Sequence, residues 1–86
     1  MTRKQYFAVK RLSDSTYYNY IHKDFLPLHQ NTKLYKTYRN AELSFADVLR
    51  ASWWNNIKYK NEYSQKEYYE KCRNDLKVVI LELREV

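Results

Sequence analysis

The chain has no glycine, and proline and cysteine occur once each, as Pro27 and Cys72. Without glycine there is no Gly-rich loop of the kind that cradles nucleotide phosphates. Backbone positions that need a positive φ fall to other residues, and Asn19, Asn31, Asn40, Asn55, Asn56 and Asn74 are the natural carriers because asparagine tolerates that region best. A single cysteine allows no intrachain disulfide, whereas small secreted domains usually carry several. Long apolar runs are also missing. The longest, Val78 to Leu81, is too short to cross a bilayer, and the opening MTRKQYFAVKRLSDS has no stretch of signal-peptide type. The expected location is cytoplasmic, with no membrane partner.

At 86 residues the chain has room for one domain, 1–86. Hydrophobic residues make up 44% and aromatics 17%, too many for a disordered segment and enough for a modest core. Ten of the aromatics are tyrosines. The net charge is +6, and it is uneven: residues 1–43 hold eight bases against three acids, and the rest is nearly balanced. A basic N-terminal half suits an anionic partner, either nucleic acid or an acidic protein surface; it equally suits a surface kept soluble by charge.

Periodicity divides the chain into elements. Lys4 to Leu12 and Thr16 to His22 are rich in aromatic and β-branched residues and read as two strands, joined by the turn-forming Ser13-Asp14-Ser15. Lys23 to Thr32 reads as a loop around Pro27, and Lys33 to Tyr38 as a third strand. From Ala41 the apolar positions Ala41, Phe45, Val48, Leu49 and Trp53 form one helical stripe, with Asn40 as its N-cap and Asn55-Asn56 as its stop. Ser64 and Glu67 make a capping box for a shorter helix that runs through Cys72 to Asn74-Asp75. Leu76 to Val86 closes the chain. Its unbroken Val-Val-Ile-Leu run predicts a strand buried on both faces, central in its sheet. The expected fold is α+β, order β-β-β-α-α-β: a small mixed sheet of about four strands, with one main helix and a short second one.

A Tyr-rich opening strand with a basic end (YFAVKRLSDS), a second aromatic strand, KLYKTY leading into an Asn-capped helix and a last strand ending ELREV together resemble the small accessory proteins encoded by phages and prophages of Gram-positive bacteria. Such proteins usually have glycine in the first turn, where Asp14-Ser15 stands here. The resemblance implies a protein that inhibits or redirects host machinery, including defence systems such as CRISPR, within the cytoplasm of the infected host. It carries over no set of functional residues.

Chemistry-bearing constellations are sparse. His22, His29 and Cys72 lack any spacing of a metal site, and Asp14, Asp24, Glu42 and Asp47 are scattered rather than paired. The expectation is a binding protein with no catalytic residues, no metal and no cofactor. The binding candidates are basic and aromatic: Lys10, Arg11, Tyr18, Tyr20, Lys33, Lys36, Arg39 and Trp54. Tyr6, Tyr17, Tyr18, Tyr20, Tyr35 and Tyr38 lie on the three expected strands. Tyrosines on an open sheet face can stack bases while Lys and Arg hold phosphates; the same residues can simply supply core bulk or a protein interface. Trp53 belongs to the helical stripe, which turns its neighbour Trp54 toward solvent as a candidate anchor. The expected partner is a host protein or ribonucleoprotein complex, bound by a monomer or small homo-oligomer. Direct nucleic-acid binding and capture of a small anionic nucleotide are the alternatives. DNA mimicry needs an acidic surface, and +6 has the wrong sign.

Overall fold

In a computed structural model, residues 3–84 are described. The first and last strands, β1 (Arg3–Arg11) and β4 (Leu76–Arg84), pair antiparallel along their whole lengths, from Arg3↔Arg84 to Arg11↔Leu76. β2 (Thr16–Asn19) pairs with the end of β1 at Lys10↔Tyr17 and Arg11↔Thr16, and β3 (Asp24–Leu26) pairs with β2. The sheet order is β3-β2-β1-β4. The fold is α+β as expected, but every pairing is antiparallel rather than mixed, and β1 rather than β4 is central.

Two further strand expectations change. β3 arises inside the segment read as a loop: Leu26, held extended by the following Pro27, pairs with Tyr17 before the proline ends the strand. Lys33 to Tyr38 forms no third strand. β2 pairs with β1 only through Thr16 and Tyr17; beyond Tyr17 it bonds to residues 31–33 instead, so that residues 31–35 wedge into the fork between the two strands. They form one bridge to each wall, Asn19↔Thr32 and Phe7↔Tyr35, each made of two backbone hydrogen bonds: Tyr20 N–H to the Asn31 carbonyl and Lys33 N–H to the Tyr18 carbonyl on one side, and the reciprocal Phe7–Tyr35 pair on the other.

Positive φ falls on Ser15 (55°) and Lys23 (54°), and on none of the asparagines. In the β2–β3 turn the reason is visible. Asn19, 1% exposed, turns its side chain inward so that Oδ1 accepts from the amides of Ile21 and His22. The left-handed residue is then Lys23, whose amide returns to the Asn19 carbonyl at 2.8 Å.

The helical stripe holds, although the helix breaks. α1 (Tyr38–Leu43) is capped by Thr37, whose Oγ1 accepts from the Asn40 amide, so Asn40 lies inside the helix rather than at its cap. The chain turns at Ser44 and continues as α2 (Phe45–Asn55). Ala41, Val48 and Leu49 are fully buried, with Phe45 and Trp53 packed beside them. Asn56 ends α2 and caps an additional short helix, α3 (Ile57–Glu62). Ser64 caps α4 (Gln65–Cys72) by accepting from Glu67, as the capping box predicts, and a 3-10 turn at Arg73–Asp75 leads into β4. The helices cover one sheet face, where Val9, Phe25, Leu76 and Val78 join Leu49 and Tyr68 in the core. On the opposite face lie Tyr6, Ala8, Lys10 and Tyr17 with Lys77, Val79 and Leu81 of β4. Leu28, His29, Thr32 and Leu34, from the segment after β3, line a cavity with Leu81, and Ala8 on this second face is fully buried. The sheet is therefore covered on part of both faces.

Candidate functional site

Asp47, Arg50, Ala51 and Trp54 recur at three- and four-residue spacing along α2, which sets them on one side of that helix. Trp54 is 69% exposed, the outward orientation that the stripe predicts, and its ring centroid is 6.1 Å from that of Trp53. The surroundings of Trp54 are fixed from three directions. Trp53 Nε1 donates to the Tyr63 carbonyl at 2.9 Å, tying α2 to the segment before α4. Asn55 Nδ2 donates to the His22 carbonyl at 2.6 Å, tying α2 to the β2–β3 turn. The extended backbone at Asn56 (φ −124°, ψ 105°) redirects the chain into α3 and leaves Ile57 72% exposed. One turn on, the Lys60 ammonium sits 4.9 Å from the centroid of the Trp54 ring, within cation–π range.

A shallow groove of about 900 Å³ opens here, lined by Trp53, Trp54, Lys23, Arg50 and Asp47 among others. A second depression, about 460 Å³, holds Lys33, Lys36, Tyr35 and Leu43 and shares Asp47 with the first. Asp47 pairs with Arg50 at 3.4 Å, an exposed contact that screening by water leaves weak. The result is a basic–aromatic strip, with Lys33 and Lys36 toward the N-terminal end of α2 and Trp54 with Lys60 toward the other. From Asp47 to Trp54 it spans about 10 Å at 1.5 Å per helical residue.

The other candidates go elsewhere. Lys10 lies on the second sheet face, its ammonium 5.8 Å from the Tyr17 ring. Arg11 is committed to structure: its guanidinium lies over Phe25 and binds Asp14 through two hydrogen bonds, at 2.6 and 3.1 Å. Burial opposes the Arg11 charge, but the hydrogen bond and charge of Asp14 outweigh it and raise the pKa above the ordinary arginine value. Tyr18 packs edge-on to Phe25 and Tyr35 is half-buried against the core; burial pushes both phenols up. Tyr20 is exposed in the β2–β3 turn and Arg39 on α1. Of the tyrosines expected on an open sheet face, Tyr6 and Tyr17 stand there, half-buried, and Tyr38 is exposed on α1.

Lys23, Arg50, Ile57 and Lys60 complete the Trp54 surface and had no distinguishing sequence signal. Lys23 comes from a turn read as loop, and Ile57 from a helix whose start depends on the Asn56 cap. A further cleft, about 490 Å³, lies between the β1–β2 turn, α3 and α4 and is lined by Asp14, Tyr59, Tyr68, Lys71 and Cys72 among others. Burial pushes the Cys72 thiol up, which disfavours the nucleophilic thiolate. Among the described residues no three His, Cys, Asp or Glu side chains gather as metal ligands, and no helix is long and apolar enough to cross a membrane. Comparison with protein-family models, with curated proteins and with solved structures finds no match.

Proposed function

We propose that this chain is a non-catalytic binding protein that uses the Trp54 strip to occupy an acidic, partly apolar surface of a partner protein. Following its resemblance to phage accessory proteins, the partner is a host defence complex such as a CRISPR effector, and binding blocks it. The observation that carries the reading is the exposure of Trp54 on a helix held by the Trp53–Tyr63 and Asn55–His22 hydrogen bonds. A large aromatic left in water on a fixed scaffold loses little conformational freedom on binding, the usual property of an interface anchor. Lys23, Arg50 and Lys60 supply the charge that an acidic partner would complement. Two tyrosines wanted for base stacking, Tyr18 and Tyr35, are turned against the core, which favours a protein partner over a nucleic-acid strand.

The test is plasmid interference in bacteria whose CRISPR immunity targets the incoming plasmid. Expression of the chain is expected to restore transformation, and the folded Trp54→Ala variant is expected to lose that effect. Undiminished immunity in hosts representing the different effector types overturns the defence-complex reading.

A further inference from the structure

β4 has the sequence of an interior strand and the position of an edge strand. Its Val78-Val79-Ile80-Leu81 run lacks the polar alternation of a strand with one wet face, yet β4 pairs with β1 alone and Ile80 is 58% exposed. The opposite edge of the sheet is protected in the ways edges usually are: β3 is three residues long, begins with Asp24 and is followed by Pro27. β4 is nine residues long, with no proline and no charge between Val78 and Leu81.

The free edge can be read residue by residue. Phe7 exchanges both of its backbone hydrogen bonds with Tyr35, at 2.8 and 2.7 Å, on the side of β1 away from β4, whereas the Leu12 amide bonds to the Asp75 carbonyl on the β4 side. Odd-numbered residues of β1 therefore point away from β4, and the residues opposite them, Val78, Ile80 and Glu82, direct their N–H and C=O groups outward. Among the described residues no backbone group bonds to these three on that side. Next to them, Tyr38 of α1 stands edge-on to Phe7, the cross-strand neighbour of Ile80, so exposed apolar surface adjoins the open hydrogen-bonding row.

We propose that β4 pairs antiparallel with β4 of a second copy, closing an eight-stranded sheet with Ile80 on the two-fold axis. In this register the two Ile80 residues exchange two hydrogen bonds, Val78 and Glu82 of opposite copies exchange two more on each side, and Val79 faces Leu81. Lys77 and Glu82 then each face an apolar residue, so no like charges meet despite the +6 on each chain. The contact is isologous and self-limiting, because it consumes the one open edge and leaves the protected β3 edges outermost. It also places the continuous apolar run of β4 in the interior of a sheet, where such runs belong. This pairing is independent of the Trp54 strip.

Sedimentation of the full chain at hundreds of micromolar, with backbone amide exchange read residue by residue, tests it. The expected mass is twice the 10.7 kDa of one chain, with the Val78, Ile80 and Glu82 amides protected at high concentration and exchanging freely on dilution. Ile80→Lys and Ile80→Pro are both expected to give folded monomers, since the Ile80 side chain is exposed and its N–H does not bond to β1. A chain that remains monomeric at that concentration overturns the proposal. So does a dimer whose Val78 and Ile80 amides stay unprotected, or one that persists in folded Ile80→Lys.

Discussion

The Tyr68 hydroxyl lies 3.1 Å from Ser52 Oγ, and the direction of that bond follows from the next one. Ser52 Oγ donates its only proton to Asp24 Oδ1 at 2.8 Å, so Tyr68 must donate to Ser52. The relay Tyr68–Ser52–Asp24 joins α4, α2 and β3 through the core, with Ser52 fully buried. Replacing Ser52 by Ala strands the Tyr68 proton and takes one donor from Asp24, and is expected to cost about 1–3 kcal/mol. Tyr68→Phe leaves the Ser52–Asp24 bond intact and is expected to cost about 0.5–1.5 kcal/mol. Chemical denaturation of both variants measures the order; a Ser52→Ala variant as stable as wild type would contradict the relay.

The same tyrosine gives an alkaline signature. Burial, partly offset by the bond to Ser52, pushes the Tyr68 pKa up to about 12. A phenol whose folded pKa exceeds its unfolded one holds its proton longer in the native state. Its contribution to stability is complete below pH 10 and is lost as pH rises from there through about 12. Melting temperature is expected to fall over that window, and to fall less steeply in Tyr68→Phe. Identical slopes in the two proteins would mean that Tyr68 ionises as freely as in the unfolded chain.

At the acid end the corresponding group is Asp14. The Arg11 hydrogen bond lowers its pKa to about 2, against partial desolvation and with help from Thr16, whose Oγ1 donates to Asp14 at 2.6 Å. The sign is opposite to that of Tyr68: the stabilisation is present at neutral pH and is lost as pH falls through about 4 toward 2. Because Asp14 is 43% exposed, screening limits the ion pair to about 0.5–1 kcal/mol. Asp14→Asn is expected to lose about that much at pH 7 and to approach wild type near pH 2, a convergence that urea titrations at the two pH values would show or refute.

How much of this was legible in the sequence depends on whether the deciding interaction is local. The stripe Ala41–Trp53, the Ser64 cap and the exposure of Trp54 follow from helical spacing and a hydroxyl three residues before an amide, so they could be read directly. Helix periodicity survived even the break at Ser44, because α1 and α2 bury the same stripe. The place of β4 could not be read, since an apolar run reports what the residues prefer to touch and not which strand lies alongside. Lys33 to Tyr38 failed for a similar reason: its pairing depends on where β2 leaves β1, a long-range matter. Within the Trp54 strip, Trp54, Lys33 and Lys36 were identifiable by type and position. Lys60 and Ile57 needed the turn at Asn56, and Lys23 needed Asn19 to spend its side chain on the turn amides.

Substitutions along β4 separate the two faces and the edge. Val78 is 7% exposed within the core, so Val78→Asp buries a carboxylate without a partner and is expected to cost several kcal/mol, about 3 or more. Leu81, half-buried beside Leu28 and Leu34 on the second face, is expected to give a smaller loss as Asp, about 1–3 kcal/mol. Ile80→Lys should change the stability of the monomer by less than about 0.5 kcal/mol. Thermal melts of the three at low micromolar concentration order them, and a Val78→Asp variant that melts with wild type would remove Val78 from the core.

Trp54 carries the functional prediction, and its value lies in separating binding from folding. The ring is 69% exposed, so Trp54→Ala loses little buried area within the chain, chiefly the Lys60 contact worth about 0.5–1 kcal/mol at an exposed site. If Trp54 anchors a protein partner, the same change should weaken that complex by about 2 kcal/mol or more, roughly thirty-fold in Kd. Gln in place of Lys23, Arg50 and Lys60 should instead slow association and flatten its salt dependence, as rim charges do, with little effect on dissociation. Direct nucleic-acid binding predicts a different pattern: measurable affinity of the isolated chain for single strands, with a log–log salt slope of about −0.7 per phosphate contacted. Titrating fluorescent single strands between low and physiological salt, alongside the candidate effector complex, distinguishes the two. Tight single-strand binding at physiological salt that survives Trp54→Ala, with no association with any effector, would transfer the function from the Trp54 strip to the Lys10–Tyr17 face of the sheet.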